Sequence, residues 1–83
     1  MIREYVTNFA VQNGIQLSRV QFVEGRSVGC LDVHLLHLVA DQHQVSALVY
    51  QSELEALQRG TCVDRLDMKL RAALSRLQLL LNQ

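Results

Sequence analysis

The sequence predicts a small α+β protein in which a three-stranded antiparallel β-meander is flanked by an N-terminal helix and two C-terminal helices, in the order αβββαα. Apolar residues recur with helical spacing at both ends of the chain and alternate with a period of two between residues 15 and 50. Four glycines and no proline punctuate these segments, and no tract resembles a linker. We therefore expect one continuous domain over residues 1–83.

The first helix is predicted over residues 2–12. Its apolar residues recur at the i, i+3, i+4, i+7 and i+8 positions of one helical face, as Ile2, Tyr5, Val6, Phe9 and Ala10. Asn13 and Gly14 follow, and both residue types tolerate the left-handed conformation that ends many helices. The helix is expected to bury this face.

Three strands are predicted between residues 15 and 50. The first covers residues 15–22, with a phase slip at Ser18 and Arg19 that suits a β-bulge, and Gly25 marks the next turn. The second, over residues 28–40, has Leu31, Val33, Leu35 and Val39 on one face and Cys30, Leu36 and Leu38 on the other. After a turn at residues 41–43, the third strand places Val45, Ala47 and Val49 opposite Leu48 and Tyr50.

The middle strand has a helical alternative. Leu31, Leu35, Leu38 and Val39 also fit one face of a helix, and a short apolar run is not decided by its period alone. We prefer the strand for residues 30–40, while the β-branched Val45 and Val49 favour a strand for the third segment more clearly.

Two helices are predicted after the sheet. Ser52 and Glu55 have the spacing of a capping box at the start of the first, and Gly60 can close it. The last helix opens at Thr61 or Asp64 and runs to about Leu81.

The last helix is apolar on two opposed sides. Its main seam alternates three- and four-residue spacings through Val63, Leu66, Leu70, Ala73, Leu77 and Leu80, with Leu74 and Leu81 beside it. Because a helix turns about 100° per residue, Met68, Ala72 and Leu79 fall roughly opposite that seam. One side can cover the sheet, so we expect the other side, together with Leu80 and Leu81, to meet a second copy or another protein.

Charge is balanced overall and uneven along the chain. Eight Lys plus Arg meet eight Asp plus Glu. Residues 1–55 hold three arginines against six carboxylates, whereas residues 56–83 hold five cations against two carboxylates. The basic residues of the last helix are Arg65, Lys69, Arg71 and Arg76, and they define an alternative function, a dimeric nucleic-acid-binding regulator. Zero net charge and few aromatic residues weigh against that alternative.

No metal, cofactor or catalytic site is predicted. The residues with metal-ligand chemistry are Cys30, Asp32, His34, His37, His43 and Cys62. On a strand His34 and His37 point to opposite faces, whereas on a helix they would be neighbours. The chain has no phosphate loop, nucleophile elbow or nucleotide fingerprint, and its size leaves little room for a pocket of several hundred cubic ångströms. We therefore expect no enzymatic activity.

The two cysteines are too few for a disulfide scaffold, so we expect buried, reduced thiols. Neither a secretory signal nor a long apolar run is visible, so we expect a cytoplasmic protein that does not enter a membrane. No stretch matches a family motif. The element order resembles that of small bacterial secretion chaperones and other adaptor proteins in architecture alone, and those chaperones are longer and acidic. The sequence thus favours a small homodimeric protein-interaction module, such as an adaptor, chaperone-like or regulatory factor.

Overall fold

A computed structural model describes residues 2–29, 31–61 and 63–82, and it confirms the predicted αβββαα order. The elements are helix α1 (Ile2–Gln12), strand β1 (Arg19–Val23), a 3₁₀ turn (Gly25–Val28), strand β2 (Val33–Ala40), strand β3 (His43–Tyr50), helix α2 (Gln51–Arg59) and helix α3 (Asp64–Leu81). The strands form one antiparallel sheet in the order β1-β2-β3. The strand interpretation of the middle segment is therefore confirmed over the helical one from Val33 onward.

A two-residue turn sets the register of the sheet. Asp41 and Gln42 have φ values of 48° and 71°, so both lie in the left-handed region that a type I′ hairpin requires. Ala40 then pairs with His43, which is the first residue of β3 and not part of the turn as predicted. This register sends the even-numbered residues of β2 to the side that the helices cover and the odd-numbered residues to the other side.

The core lies between the helices and that covered side of the sheet. Helix α3 packs mainly against β3, and α1 against β1. The buried apolar residues that form this core are Val6, Ala10, Ile15, Leu36, Leu38, Ala40, Val45, Val49, Leu66, Leu70, Ala73, Leu74 and Leu77. The predicted buried face of α1 and the main seam of α3 are both confirmed by this cluster.

The first two strands begin later than predicted. The backbone N–H of Ile15 donates to the carbonyl of Ala10 at 2.9 Å, which ties residue 15 to the end of α1, and β1 starts only at Arg19. Gly29 has a φ of 83°, a left-handed conformation that interrupts extended backbone. Strand β2 therefore starts at Val33 and not at residue 28.

The N-cap residue of α2 is Tyr50 and Glu53 is the third residue of the helix, so the predicted capping box of Ser52 and Glu55 is wrong by two residues. Strand β3 runs directly into α2, and the Glu53 carboxylate accepts the backbone N–H of Tyr50 at 2.8 Å. Glu55 is exposed. Gly60, with a φ of 72°, ends this helix as predicted.

A hydrogen bond between side chains joins α1 to α3. The Tyr5 hydroxyl donates to Oδ1 of Asp67, at the border of the core. Burial raises the pKa of the Tyr5 phenol from 10.0 to about 12, and the hydrogen bond to Asp67 and the negative charges of Asp67 and Asp64 add to the shift. The neutral phenol is thus favoured in the folded state.

We expect Tyr5 to make the folded state sensitive to alkaline pH. Because the folded pKa exceeds the unfolded one, its contribution is complete below pH 10 and is lost as pH rises towards 12. Denaturant unfolding across this window should show a falling free energy of unfolding in wild type, and Tyr5→Phe should remove part of that slope. Phenolate absorbance that shows Tyr5 titrating near pH 10 in folded protein would contradict this assignment.

Candidate interaction surfaces

The outer face of α3 carries two large apolar side chains in solvent. Met68 is 67 % exposed and Leu79 is 65 % exposed, and Ala72 and Ser75 lie between them on the same face. Met68 and Leu79 are eleven residues apart, or about 16 Å along the helix. Because Ala72 and Ser75 are small, the helix surface is lower between the two large side chains.

Two of the predicted interface residues lie elsewhere. Leu80 and Leu81 are only partly buried, but both pack against the core cluster from the end of α3. The exposed part of the predicted surface therefore consists of Met68, Ala72 and Leu79, and we call these three residues with Ser75 the outer face of α3.

The four basic residues of α3 have different environments. Arg65 and Arg71 are exposed and flank the outer face. Arg76 donates from Nη2 to the backbone carbonyl of Ser46 at 3.1 Å, on the free edge of β3. Lys69 contacts a carboxylate on α2. Arg65, Arg71 and Arg76 are therefore exposed, and Lys69 and Arg76 are the two that have a partner within the chain.

Lys69, Glu53 and Tyr50 form a polar cluster that joins α3 to α2 and β3. The Lys69 ammonium lies 2.8 Å from Oε1 of Glu53 and 3.9 Å from the centroid of the Tyr50 ring. The Glu53 side chain is 8 % exposed and that of Lys69 is 31 % exposed. Oε2 of Glu53 is buried and has no hydrogen-bond partner among the residues that the structure describes. The charge of this carboxylate thus depends on Lys69 for compensation.

The sheet face that points away from the helices is apolar at six of its eleven positions. Its apolar residues are Val23, Val33, Leu35, Val39, Leu48 and Tyr50, and we call this side the open face. None of the six belongs to the core cluster or packs against it, and Leu48 is 52 % exposed. An antiparallel sheet with one solvated face normally shows polar residues there. The open face departs from that pattern.

The alternation in the sequence contained a signal for the open face. Val33, Leu35 and Val39 share one side of β2, as predicted, whereas Leu31 lies before the start of the strand. Alternation alone does not show on which side of the sheet the helices pack, so it does not identify that side as an open surface.

An open cleft lies between the 3₁₀ turn, α2 and the start of α1. Its volume is about 570 Å³. The residues that line it are Ile2, Phe22, Glu24, Arg26, Leu31, His34, Gln51, Leu54, Leu57 and Gln58. The expectation of little room for such a pocket was wrong, because three short helical segments meet here without filling the space beside the sheet edge.

His34 at the floor of this cleft is engaged on both ring nitrogens. Nδ1 accepts the backbone N–H of Gly25 at 2.9 Å, so the neutral ring carries its hydrogen on Nε2, which donates to Oε1 of Gln51 at 2.6 Å. Neither nitrogen is left to bind a metal or accept a proton from a substrate. The residue joins the 3₁₀ turn to the start of α2.

His37 lies on the open face, where Nδ1 is 2.8 Å from the Ser46 hydroxyl oxygen. The two histidines are thus on opposite sides of β2, as a strand requires. In the part of the chain that the structure describes, no three histidine, cysteine or acidic residues come together as a metal site would need. The predictions for Cys30 and Cys62 lie outside the described residues.

None of the helices within the described ranges combines the length and the apolar character that crossing a bilayer requires. Comparison of the chain with protein-family models, curated proteins and solved structures finds no match.

The ion pair predicts unequal effects of its two partners. Lys69→Met should lower the free energy of unfolding by about 2–4 kcal/mol, since it leaves the buried Glu53 carboxylate uncompensated. Glu53→Gln should cost about 1 kcal/mol, because its amide oxygen still accepts the Tyr50 N–H and the partly exposed Lys69 can turn to water. Urea denaturation of both variants and of the double variant measures the difference. Equal losses in the two single variants would contradict the described burial.

The hydrogen bonds of His34 predict a structural role. His34→Leu should lower the free energy of unfolding by about 1–3 kcal/mol, because the buried Gly25 N–H loses its acceptor. His43→Gln, at the start of β3, is the matched control and should change stability by less than about 0.5 kcal/mol. A His34→Leu variant as stable as wild type would show that the ring does not hold the turn.

Proposed function

We propose that this chain is a small cytoplasmic protein-interaction module that works as a homodimer and binds another protein on the outer face of α3. The observation that carries the proposal is the exposure of Met68 and Leu79 on a helix whose opposite side already supplies the core. Exposing such a surface to water is unfavourable, since fully burying a Leu or Met side chain contributes about 1.5–3 kcal/mol relative to leaving it exposed.

The flanks of this surface favour an acidic partner. Arg65 and Arg71 are exposed beside the outer face, and of the two carboxylates of α3 only Asp64 is exposed. One of those carboxylates, Asp67, already accepts a hydrogen bond from Tyr5. An amphipathic helix with an apolar stripe and acidic borders complements this arrangement.

The shape of the surface favours a helix. Ala72 and Ser75 lie between the two protruding side chains and allow a partner backbone to approach closely, while Met68 is a flexible side chain that adapts to different apolar partners. The proposed role is thus that of an adaptor, chaperone-like or regulatory factor without catalytic activity of its own. The engaged nitrogens of His34 support the absence of a catalytic role at the cleft.

Nucleic-acid binding is the less favoured alternative. Of the four cations that define it, Lys69 pairs with Glu53 and Arg76 binds the Ser46 carbonyl. Arg65 and Arg71 are exposed on the same helix, on a chain of zero formal charge. Few phosphate contacts imply weak and strongly salt-dependent affinity.

A peptide titration tests the proposed surface. A synthetic helical peptide with leucines on one face and glutamates elsewhere is added to ¹⁵N-labelled protein. We expect the amide signals of Met68, Ala72 and Leu79 to shift, and Met68→Glu with Leu79→Glu to weaken binding at least tenfold, since about 1.4 kcal/mol corresponds to that factor.

Val11→Glu is the matched control, because Val11 is a comparably exposed apolar residue on α1, at 61 %. It should leave both the fold and the affinity unchanged. Absence of α3 shifts at millimolar peptide would refute the proposed surface. Shifts of the Arg65 and Arg71 signals with a duplex oligonucleotide at micromolar concentration would support the nucleic-acid alternative instead.

A further inference from the structure

We infer that the open face of the sheet is where a second copy of this chain binds, so that two three-stranded sheets pack face to face. The inference rests on the proposed homodimer and adds the surface that holds it. In each subunit of such a dimer, the outer face of α3 remains available to bind another protein.

The open face carries few charges, as the core of a protein interface does. The polar positions on this side of the sheet are Arg19, Gln21, His37, Gln44 and Ser46. Of the residues on the open face, only Arg19 carries a formal charge at pH 7, and it lies at one corner, while the Lys69 ammonium of α3 lies against the Tyr50 ring at the edge of β3. Depletion of charge at the centre of a surface with apolar and aromatic residues distinguishes interfaces from ordinary protein surface.

The chain exposes more surface than a compact monomer of its mass, and the excess is similar to the area that a dimer interface buries. A compact monomer of 9.4 kDa typically exposes about 5,000 Å². This chain exposes 5554 Å², an excess of about 550 Å² over that expectation. Two copies that removed the excess from water would bury about 1,100 Å², and specific interfaces begin at about 1,000 Å². The chain is also thin, with extents of 36 × 28 × 17 Å, and none of the described helices covers the open face.

The residues of the open face complement their own copy. Val23, Leu35 and Leu48 lie in one row across the three strands, and Gln21, His37 and Ser46 lie in the next. A twofold axis parallel to β2 places Leu35 against Leu35 of the second copy and Val23 against Leu48 of the second copy. Apolar rows then meet apolar rows and polar rows meet polar rows, as aligned sheet packing requires.

The same axis avoids opposed charges. Arg19 pairs with Val39 and Gln44 in its own row, so the twofold axis places it against Gln44 of the second copy. No two arginines are brought together. An open face of this composition thus needs no oppositely charged partner, whereas the outer face of α3, with its arginines, does.

Sedimentation equilibrium with two sets of variants tests the inference. Wild type should give about twice the 9.4 kDa chain mass at micromolar concentration. Leu48→Glu, on an edge strand at a position 52 % exposed, should weaken the dimer at least tenfold while the circular-dichroism spectrum stays that of a folded protein. Leu35→Thr is the second variant, because Thr keeps the β preference of the central strand. Leu79→Glu is the matched control and should leave the dimer intact.

An isotope-filtered NOE experiment on mixed labelled and unlabelled protein gives an independent measurement. Val23 and Leu48 lie on the two edge strands, about 10 Å apart within one chain, so a contact between their methyl groups must come from two chains. We expect that contact. A dimer that lacks it, or that dissociates with Leu79→Glu and survives both sheet variants, would overturn the inference and leave the homodimer itself standing. A wild-type chain that stays monomeric at high micromolar concentration would refute the homodimer as well, while peptide binding to α3 would remain separately measurable.

Discussion

The packing of α3 against one side of the sheet is the interaction on which the other features depend. Leu66, Leu70, Ala73, Leu74 and Leu77 enter the core together, and they meet the side chains that β2 and β3 send to the same side. Because α1 and α2 pack on this side too, all the described α-helices cover the same face of the sheet. The remaining face of the sheet and the remaining face of α3 follow as exposed surfaces.

Three polar contacts orient the helices around that core. Tyr5 joins α1 to α3, the pair of Glu53 and Lys69 joins α2 to α3, and His34 joins the 3₁₀ turn to α2. Each lies at the border of the apolar cluster, where its groups are partly or wholly withdrawn from water. A buried hydrogen bond contributes little net free energy, but it penalises arrangements in which its partners are separated. Apolar packing alone would permit several arrangements of the helices. These polar contacts therefore select one of them.

The two exposed apolar surfaces differ in chemistry, which is why we assign them different partners. The open face is almost uncharged and symmetric in its row pattern, so it suits an identical surface. The outer face of α3 is narrow and has arginines on its flanks, so it suits an acidic helix from another protein. In the proposed dimer, separate surfaces for self-association and for binding would present two equivalent docking sites, and two linked sites raise the effective affinity for a partner that is itself dimeric or repetitive.

The sequence by itself determined the element order, the buried sides of α1 and α3 and the two sides of β2, because periods of 3.6 and 2 record which residues share a face. It also placed the exposure of Met68 and Leu79 opposite the α3 seam. Only the tertiary structure decided that Glu53 and not Glu55 caps α2, that Lys69 and Arg76 are engaged, that a cleft forms beside His34, and that the helices all pack on one side of the sheet. The Glu53 cap depends on where β3 ends and α2 begins, and the other features depend on residues far apart in the chain, such as Lys69 with Glu53 or His34 with Gln51. Local periodicity reports the face of an element, whereas the neighbour that covers the face is set by how the elements pack together.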